Sequence, residues 1–453
     1  MYVTSTAFNN CDPHRQIYSR SLPVETLLEI FKEAAGDYIG SRKEYLNTLE
    51  SLLLTCKRWH SVLYRISDLW ATLELQPHRK RVEVTNWMNR LAMPGVAADL
   101  RLRFDDLFSM RHLQSTDARL SPFSTIRAVR PILSRCRRLL ITCDQYNFPH
   151  MIEALQHMDP SHLMSLTLHR VVLPLLPRRE PPHRRHPGIF LHAVVPSLLY
   201  LRVIGTSPGW DDLRLFRALK IFVAHAIPDG VRPSGIQTFT ALDTMRFTVE
   251  RMSLRDVCYD TLPWMFNRVS TLWRLVELDL YFKSSIALAQ ILARLNMPAL
   301  RIVTTYFDTP QDLQCLIICS SILANVVTFG VTCNARIDRH DIGSLWVAMP
   351  LLTNLDLSRC GGEFFDALFA PGMPYFFPLL RQLTVAATPP TFVRVYLQRR
   401  LDAHLPIRRV TLWRIDQHWF AADINWMIFI MGATNVIINP TGNPFTRSWI
   451  LHY

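Results

Sequence analysis

The N-terminal part of the chain carries two apolar stripes at helical spacing. Leu27, Ile30 and Phe31 recur at intervals of three and one, which places them on one side of a helix. A second stripe with helical period occupies residues 49–56, ahead of two basic residues and Trp59. The pattern predicts a short helical hairpin over residues 21–70. A hairpin of this size cannot bury both stripes within itself, so we expect it to need a partner.

A second pattern, Leu-x-x-Leu-x-Leu with apolar substitutes, recurs over the C-terminal two thirds of the chain. Its middle apolar residue stands at positions 278, 303, 329, 355, 383 and 410, at successive intervals of 25, 26, 26, 28 and 27. Less regular copies stand at 166, 201, 219 and 245, at intervals of 35, 18 and 26. A period of roughly 20–29 residues is typical of leucine-rich repeats. Asn334 and Cys360 also stand where such repeats carry Asn or Cys.

The segments between these copies have helical periodicity. Ser285 precedes an apolar run at 286–295, Thr309-Pro310 opens one at 311–319, and similar runs occupy 341–347 and 390–397. Strands and helices that alternate at a fixed spacing form a parallel sheet with helices outside it. The sequence therefore predicts an α/β fold, in which an N-terminal helical module is followed by a leucine-rich-repeat solenoid with parallel strands on its concave face and helices outside.

Composition marks the boundaries between these parts. Residues 82–93 have the pattern of a helix ended by Pro94-Gly95, and 98–104 and 139–142 are typical of early strands. Residues 174–188 hold five Pro, four Arg and two His, which predicts a solvent-exposed loop. We therefore predict a flexible N-terminus at 1–20, the helical module at 21–75, a helical connector with irregular first repeats at 76–145, and the solenoid at 146–453.

The helical module resembles an F-box, the adaptor-binding domain of cullin–RING ubiquitin ligases. Leu22-Pro23 matches the Leu-Pro start of the family, and Ile30-Phe31 matches its Ile-Phe pair. Residues 54–59 match its signature of an apolar residue, Cys, two basic residues and Trp, and Leu69-Trp70 matches its close. The connector after Phe31 is longer than usual, as it is in many fungal members, and Thr55 replaces the commoner Val. The resemblance covers about fifty of the 453 residues.

The resemblance implies that the module docks on a Skp-type adaptor, which links it to a cullin and a RING subunit. The chain would then be a non-catalytic substrate receptor, whose solenoid presents a target protein for ubiquitination. The alternative is a leucine-rich-repeat scaffold that acts independently of ubiquitin. Spacing does not decide which residues face the adaptor and which hold the hairpin together. The residues expected at the adaptor are Leu22, Pro23, Leu27, Ile30, Phe31, Leu53, Trp59, Leu69 and Trp70.

The alternation of side chains along each repeat strand predicts which residues meet the target, because every second side chain leaves the core. Basic residues gather early, at Arg202, Lys220 and Arg246, and they suit an acidic or phosphorylated segment. The alternative is a solvated sheet face without a dominant contact. The other residues expected to contact the target are Tyr200, Glu277, Asp279, Tyr306, Asp356, Arg409 and Trp413.

Charge and cysteine content limit the other classes of partner. The formal net charge of +13 is dispersed along the chain without a recognisable nucleic-acid module, so we do not expect nucleic acid as a partner. The nine Cys lack paired C-x-x-C spacing, and His183 and His186 lack a third ligand, so no disulfide framework and no metal site are predicted. Cys315 and Cys319 fit the packing of a helix.

The sequence also lacks the signatures of catalysis and of membrane insertion. It has no nucleophile-elbow, dinucleotide, P-loop or zinc-protease string, so we expect neither enzymatic activity nor a cofactor. No apolar run is long enough to span a bilayer, and no signal peptide is recognisable. We therefore expect a protein of the cytoplasm, the nucleus or both, without a membrane partner.

Overall fold

The fold is known from a computed structural model that describes most of the C-terminal half and parts of the N-terminal half. The described residues are 22–35, 51–52, 55–65, 72–75, 98–104, 133–144, 148, 161–171, 197–206, 217–226, 244–257, 270–368, 377–413 and 419–439. The chain forms two compact units. The first comprises Met1–Cys143 and His157–Leu163, and the second comprises Asp144–Gln156 and Met164–Tyr453.

Two helices of the first unit, α1 (Val24–Ala35) and α2 (Lys57–Arg65), pack as a hairpin, and α2 begins after the stripe predicted at 49–56. Its centre is fully buried at Leu27, Phe31 and Leu63, and residues of both helices and of the segments that precede them pack around it. The packing residues are Leu22, Leu28, Leu52, Trp59 and Val62. Leu27 and Phe31 of the first predicted stripe are thus buried within the hairpin, whereas Ile30 is exposed and Leu52 and Cys56 of the second stripe are only partly buried.

The first unit also contains three parallel strands, β1 (Thr72–Leu75), β2 (Ala98–Phe104) and β3 (Cys136–Asp144). Leu73 pairs with Leu100 and Leu100 with Leu139, so apolar residues stand in register across the strands. The two strands predicted at 98–104 and 139–142 are confirmed, and β3 is longer than predicted at both ends.

The second unit is built on a parallel sheet whose strands follow one another in chain order. Eleven of its described strands form this sheet: β4 (Ser165–Val171), β5 (Tyr200–Ile204), β6 (Ile221–His225), β7 (Arg251–Arg255), β9 (Glu277–Tyr281), β11 (Ile302–Phe307), β12 (Thr328–Cys333), β13 (Asn354–Ser358), β14 (Gln382–Ala386), β15 (Arg409–Trp413) and β16 (Val436–Asn439). The short β8 (Ser270–Thr271) and β10 (Leu295–Asn296) pair separately. This arrangement is consistent with an α/β solenoid.

The six regularly spaced markers of the sequence pattern form one column across this sheet. Leu278, Val303, Phe329, Leu355, Leu383 and Val410 pair directly with one another in that order. All six are at most 1% exposed, so the column is core. Val436 of β16 pairs with Val410 and continues the column by one more repeat, which the sequence analysis had not predicted.

Two of the upstream markers, 219 and 245, are wrong. The register places Phe222 and Met252 in the column, because Phe222 pairs with Leu201 and Met252 with Leu278. Leu219 and Met245 are buried in the turns that precede the strands. Buried apolar residues also precede both strands: Leu219 stands three residues before Phe222, and Met245 seven residues before Met252. The pattern can therefore be phased too early.

Six described helices connect the later strands: α3 (Ser285–Arg294), α4 (Pro310–Ile318), α5 (Arg339–Val347), α6 (Gly362–Ala367), α7 (Pro390–Asp402) and α8 (Ala421–Met431). The four predicted runs correspond to α3, α4, α5 and α7. The cap of α3 is Ser284 rather than Ser285, since the Ala287 N–H donates to the Ser284 hydroxyl at 3.4 Å. At α4 the Thr309 N–H donates to Asp312 Oδ2 at 2.8 Å, which fixes the start of the helix.

A left-handed residue ends five of the repeat strands. Gly205, Ala226, Asp256, Arg359 and Ala387 directly follow their strands, with φ between 50° and 66°. The N–H of the first four donates to the carbonyl of the last residue of the next strand, at 2.6–2.9 Å. An extra Cβ at Gly205 would lie 2.4 Å from the Arg170 carbonyl oxygen, so this copy requires glycine. The position turns the chain out of the sheet in each of these repeats.

Several predictions lie outside the described residues. They concern the helix at 82–93, the Pro- and Arg-rich loop at 174–188, and Leu53, Leu69 and Trp70. Among the residues that the structure describes, no helix is both long and apolar enough to cross a membrane. The same residues contain no cluster of three His, Cys, Asp or Glu that would hold a metal ion. The described cysteines are free thiols, and Cys315 and Cys319 are partly buried.

Candidate functional site

The hairpin leaves a second set of apolar residues on its surface. Val24 and Ile30 are 44% and 38% exposed, and Pro23 is exposed as well. Pro23 and Ile30 are separated by about two helical turns, so they lie on one side of α1. Leu27 lies between them in the chain and turns inward. The hairpin therefore has an apolar outer surface beside its apolar core.

The expected adaptor residues divide between these two places. Leu27 and Phe31 are fully buried, and Leu22 and Trp59 are partly buried against them. The Phe31 and Trp59 rings meet edge-on at 5.0 Å, and the Arg58 guanidinium donates to the Leu22 carbonyl. Only Pro23 and Ile30 of the described expected residues are exposed.

The parallel sheet of the second unit has an apolar and a polar side. Each strand places two side chains in the core, and the residues before, between and after them point to the opposite side. In β7 these three are Arg251, Ser253 and Arg255, and in β9 they pair with Glu277, Asp279 and Tyr281. We call the corresponding three positions of β4 to β15 the polar face. At β5 and β6 these positions also hold a buried apolar cluster of Tyr200, Ile221 and Val223.

A hydrogen-bond chain crosses three strands of the polar face. The Ser253 hydroxyl donates to Asp279 Oδ2 at 2.6 Å, and Arg255 Nε donates to the same oxygen at 2.7 Å. His225 Nε2 lies 2.9 Å from the Ser253 oxygen. The Arg255 guanidinium also stacks over the Tyr306 ring, 4.9 Å from its centroid. We call these five residues the polar cluster.

Burial and nearby positive charge set the protonation of His225. Burial first, and then Arg255 and Arg202, lower its pKa from 6.5 to about 3. The imidazole is therefore neutral at physiological pH. Because the Ser253 proton is directed to Asp279, the Ser253 oxygen accepts the proton of His225 Nε2, and this assigns the tautomer with Nδ1 unprotonated.

For Arg255 the nearby charge outweighs the effect of burial on the pKa. Burial alone would lower the pKa of its guanidinium, but the charge of Asp279 and its hydrogen bond raise the pKa above the ordinary value. The pair is well shielded, since the Asp279 side chain is only 3% exposed and that of Arg255 26%. Arg255 is therefore a permanently charged group held in one orientation.

The cluster contains Ser, His and Asp but lacks the geometry of a hydrolase triad. In such a triad the histidine contacts both the nucleophile and the acid. Here Ser253 contacts both other groups, its proton is given to Asp279, and the residue is completely buried. This connectivity positions charged side chains and does not activate a nucleophile.

The residues expected to meet the target fall into three groups. Eight of them occupy the polar face: Tyr200, Arg202, Glu277, Asp279, Tyr306, Asp356, Arg409 and Trp413. Tyr200 and Asp279 are buried there, at 6% and 2% exposure, so they support their neighbours. Lys220 precedes β6 and pairs with Glu250 at 3.5 Å. The assignment of Arg246 to a strand is wrong, because it lies in a turn and stacks on the Phe247 ring at 4.5 Å.

Sequence reasoning missed His225, Ser253 and Arg255, the centre of the polar cluster. All three belong to β6 and β7, the strands whose markers were misplaced. The available signal was Val249-x-x-Met252-x-Leu254, which fits the repeat and puts its marker at 252, one repeat length before the marker at 278. With this phase the alternation would have placed Ser253 and Arg255 beside Asp279.

Comparison with known families adds to the geometry of the hairpin. Residues 19–76 match the family of F-box-like domains. The hairpin is an F-box-like domain. The match spans all the motif elements quoted from the sequence, and domains of this family typically bind Skp-type adaptors. No curated protein matches the chain.

Proposed function

We propose that this protein is the substrate-recognition subunit of a Skp–cullin–F-box ubiquitin ligase. The F-box-like domain docks on the adaptor, which brings in the cullin and RING subunits, and the leucine-rich-repeat sheet holds a target protein. The match of residues 19–76 carries this proposal. The chain contributes proximity between the target and the ubiquitin-loaded enzyme, and it works in the cytoplasm, the nucleus or both.

The outer surface of the hairpin supports the docking step. Pro23, Val24 and Ile30 expose apolar area on one short helix, which suits insertion into an apolar groove of the adaptor. Leu27 and Phe31 act indirectly, by holding α1 against α2. The proposed adaptor contacts among the described residues are therefore Pro23, Val24 and Ile30, with Leu22 and Trp59 at their border.

The decisive experiment is a titration of the full chain with a purified Skp-type adaptor, with the dissociation constant measured by calorimetry. Ile30→Asp places a charge in the proposed contact without entering the hairpin core. We expect it to weaken adaptor binding at least ~30-fold, as for a hot-spot residue worth about 2 kcal/mol. Thermal stability of the hairpin should change little, because Ile30 is exposed in the free chain.

The matched control is Ile286→Asp, the same chemical change at an exposed position of α3 in the second unit. This variant should bind the adaptor as the unaltered chain does. Absence of adaptor binding by the unaltered chain would overturn the proposal and leave a repeat scaffold that is independent of ubiquitin. Equal losses in both variants would show that the contact lies elsewhere.

A further inference from the structure

We propose that the polar cluster, together with Arg202, binds an oxyanion carried by the target protein, either a phosphoryl group or a side-chain carboxylate. That the oxyanion belongs to a target protein rests on the proposed function. The anion site itself belongs to the sheet alone and can be tested without the adaptor.

The first argument is the distribution of charge over the polar face. From β4 to β11 the face has three arginines, Arg202, Arg251 and Arg255, against Glu277 and Asp279, so its formal charge is 3 − 2 = +1. Arg251 and Arg255 each pair with one of the acids, at 3.5 Å and 2.7 Å. Arg202 forms no ion pair with any other described residue.

The position of this surplus charge is the second argument. Arg202 on β5 and Arg255 on β7 stand on either side of β6, and both lower the pKa of His225 there. Arg255 lies directly opposite His225 in the register. Arg202 lies opposite Val223, two residues before His225, so the two guanidinium groups belong to the strands on either side of the uncharged imidazole but are not placed symmetrically about it. An oxyanion at this place would face both arginines.

Preorganisation of the donors is the third argument. Asp279 fixes Arg255 through Nε, and the Tyr306 ring supports the flat side of the guanidinium. On the other side, Arg202 hydrogen-bonds the buried Tyr200 hydroxyl. Both arginines and Tyr306 are partly exposed, whereas Asp279 and Tyr200 are buried. A charged group held before its ligand arrives loses less conformational freedom on binding.

Binding should be linked to protonation of His225. Among the described residues, the groups that face the ring are Arg202, Ser253, Arg255 and, through Ser253, Asp279. A bound anion offsets the two positive charges and so raises the pKa of His225, which then protonates at Nδ1. By linkage, protonation of His225 in turn strengthens the binding of an anion whose own charge stays constant over the same pH range.

The test is a titration of the full chain, ¹³C-labelled at histidine, with inorganic phosphate at constant ionic strength. The His225 signal, assigned by its loss in His225→Gln, should shift saturably, and its pKa should rise in the presence of phosphate. Arg202→Gln should weaken phosphate binding at least ~10-fold. Arg202→Lys should weaken it less, because Lys keeps the positive charge but lacks the planar guanidinium that donates two parallel hydrogen bonds. Arg409→Gln, at the far end of the same face, is the matched control and should leave binding unchanged.

Two further titrations identify the preferred anion. Stronger binding of O-phosphoserine than of aspartate indicates a phosphorylated target, and the reverse order indicates an acidic one. Absence of a saturable His225 shift with all three anions would overturn the anion site, and so would equal weakening by Arg202→Gln and Arg409→Gln. Adaptor binding is measured separately, so failure here leaves the proposed function intact.

Discussion

At the scale of single residues, the polar cluster shows how a sheet face holds charged groups in place. Asp279 is nearly inaccessible, yet its Oδ2 accepts from both Ser253 and Arg255. A buried carboxylate without such partners would be strongly destabilising. His225 completes the chain as a neutral donor. The native arrangement of the cluster in the absence of a ligand therefore has a neutral His225 ring.

The neutrality of this ring predicts a loss of stability in acid. The pKa of His225 is about 3 in the folded chain against 6.5 for a free side chain. Between these values the unfolded state binds a proton that the folded state does not, so the contribution of His225 is complete above pH 6.5 and is lost as the pH falls towards 3.

His225→Gln removes this proton linkage. We expect the free energy of unfolding of the natural chain to fall more steeply between pH 6.5 and pH 3 than that of His225→Gln. Urea unfolding of both proteins over this range measures the difference. His162→Gln, which alters an exposed histidine, serves as the control and should follow the natural chain. Parallel curves for His225→Gln and the natural chain would contradict the prediction.

At the scale of one repeat element, the left-handed residue after the strand has no clear signal in the sequence pattern. Gly205 is the only glycine at the five positions, and the others are Ala226, Asp256, Arg359 and Ala387. A non-glycine residue in this conformation costs about 1–2 kcal/mol. The repeats accept this cost because the N–H of the residue bonds to the next strand in four of the five described cases.

Ala387→Gly should therefore stabilise the protein. Ala387 has φ of 50° and is exposed, so glycine relieves the strain without opening a cavity. After allowance for the greater freedom of glycine in the unfolded chain, we expect a gain of ~0.5 kcal/mol. The neighbouring Ala386→Gly, in β14 and 3% exposed, should instead cost about 1–2 kcal/mol. Thermal unfolding of both variants measures the change in stability in each. A loss of stability in both variants would contradict the strain argument.

The elements themselves were largely predictable. Leu278 and Val410 mark strands found where the spacing placed them, because each copy must bury the same apolar positions against its neighbours. The copies around Leu219 and Met245 were misplaced, because a buried turn residue and a buried strand residue look alike in the sequence. Because of this ambiguity, the sequence pattern did not assign Arg255 to a strand and did not predict the polar cluster.

At the scale of the whole molecule, the second unit has the energetics expected of a repeat sheet. In the main sheet each described strand pairs only with the sheet strands nearest to it in chain order, and β8 and β10 lie outside that sheet. Stability in such a protein is approximately a sum of terms within repeats and between neighbours. Damage to one repeat should therefore spread first to the adjacent repeats.

Phe329→Ala tests this expectation. Phe329 is fully buried in β12 and meets the Trp346 ring edge-on at 6.1 Å. Its truncation should cost about 3–5 kcal/mol. In hydrogen exchange we expect the largest increase in β11, β12 and β13 and the smallest in β4 and β5. Val347→Ala, at an exposed position of α5, is the control, and a uniform increase along the sheet would contradict the prediction.

The sequence by itself determined the F-box-like domain and the positions of most repeat strands. Both depend on local spacing of apolar residues, which a chain displays without folding. Tertiary structure alone decided that Leu27 turns inward while Ile30 stays exposed, and that Arg202 and Arg255 flank His225. These relations join residues that lie in different repeats, or depend on which side of a helix meets its partner. Their register is set by the packing of the whole sheet or hairpin, which no local pattern contains.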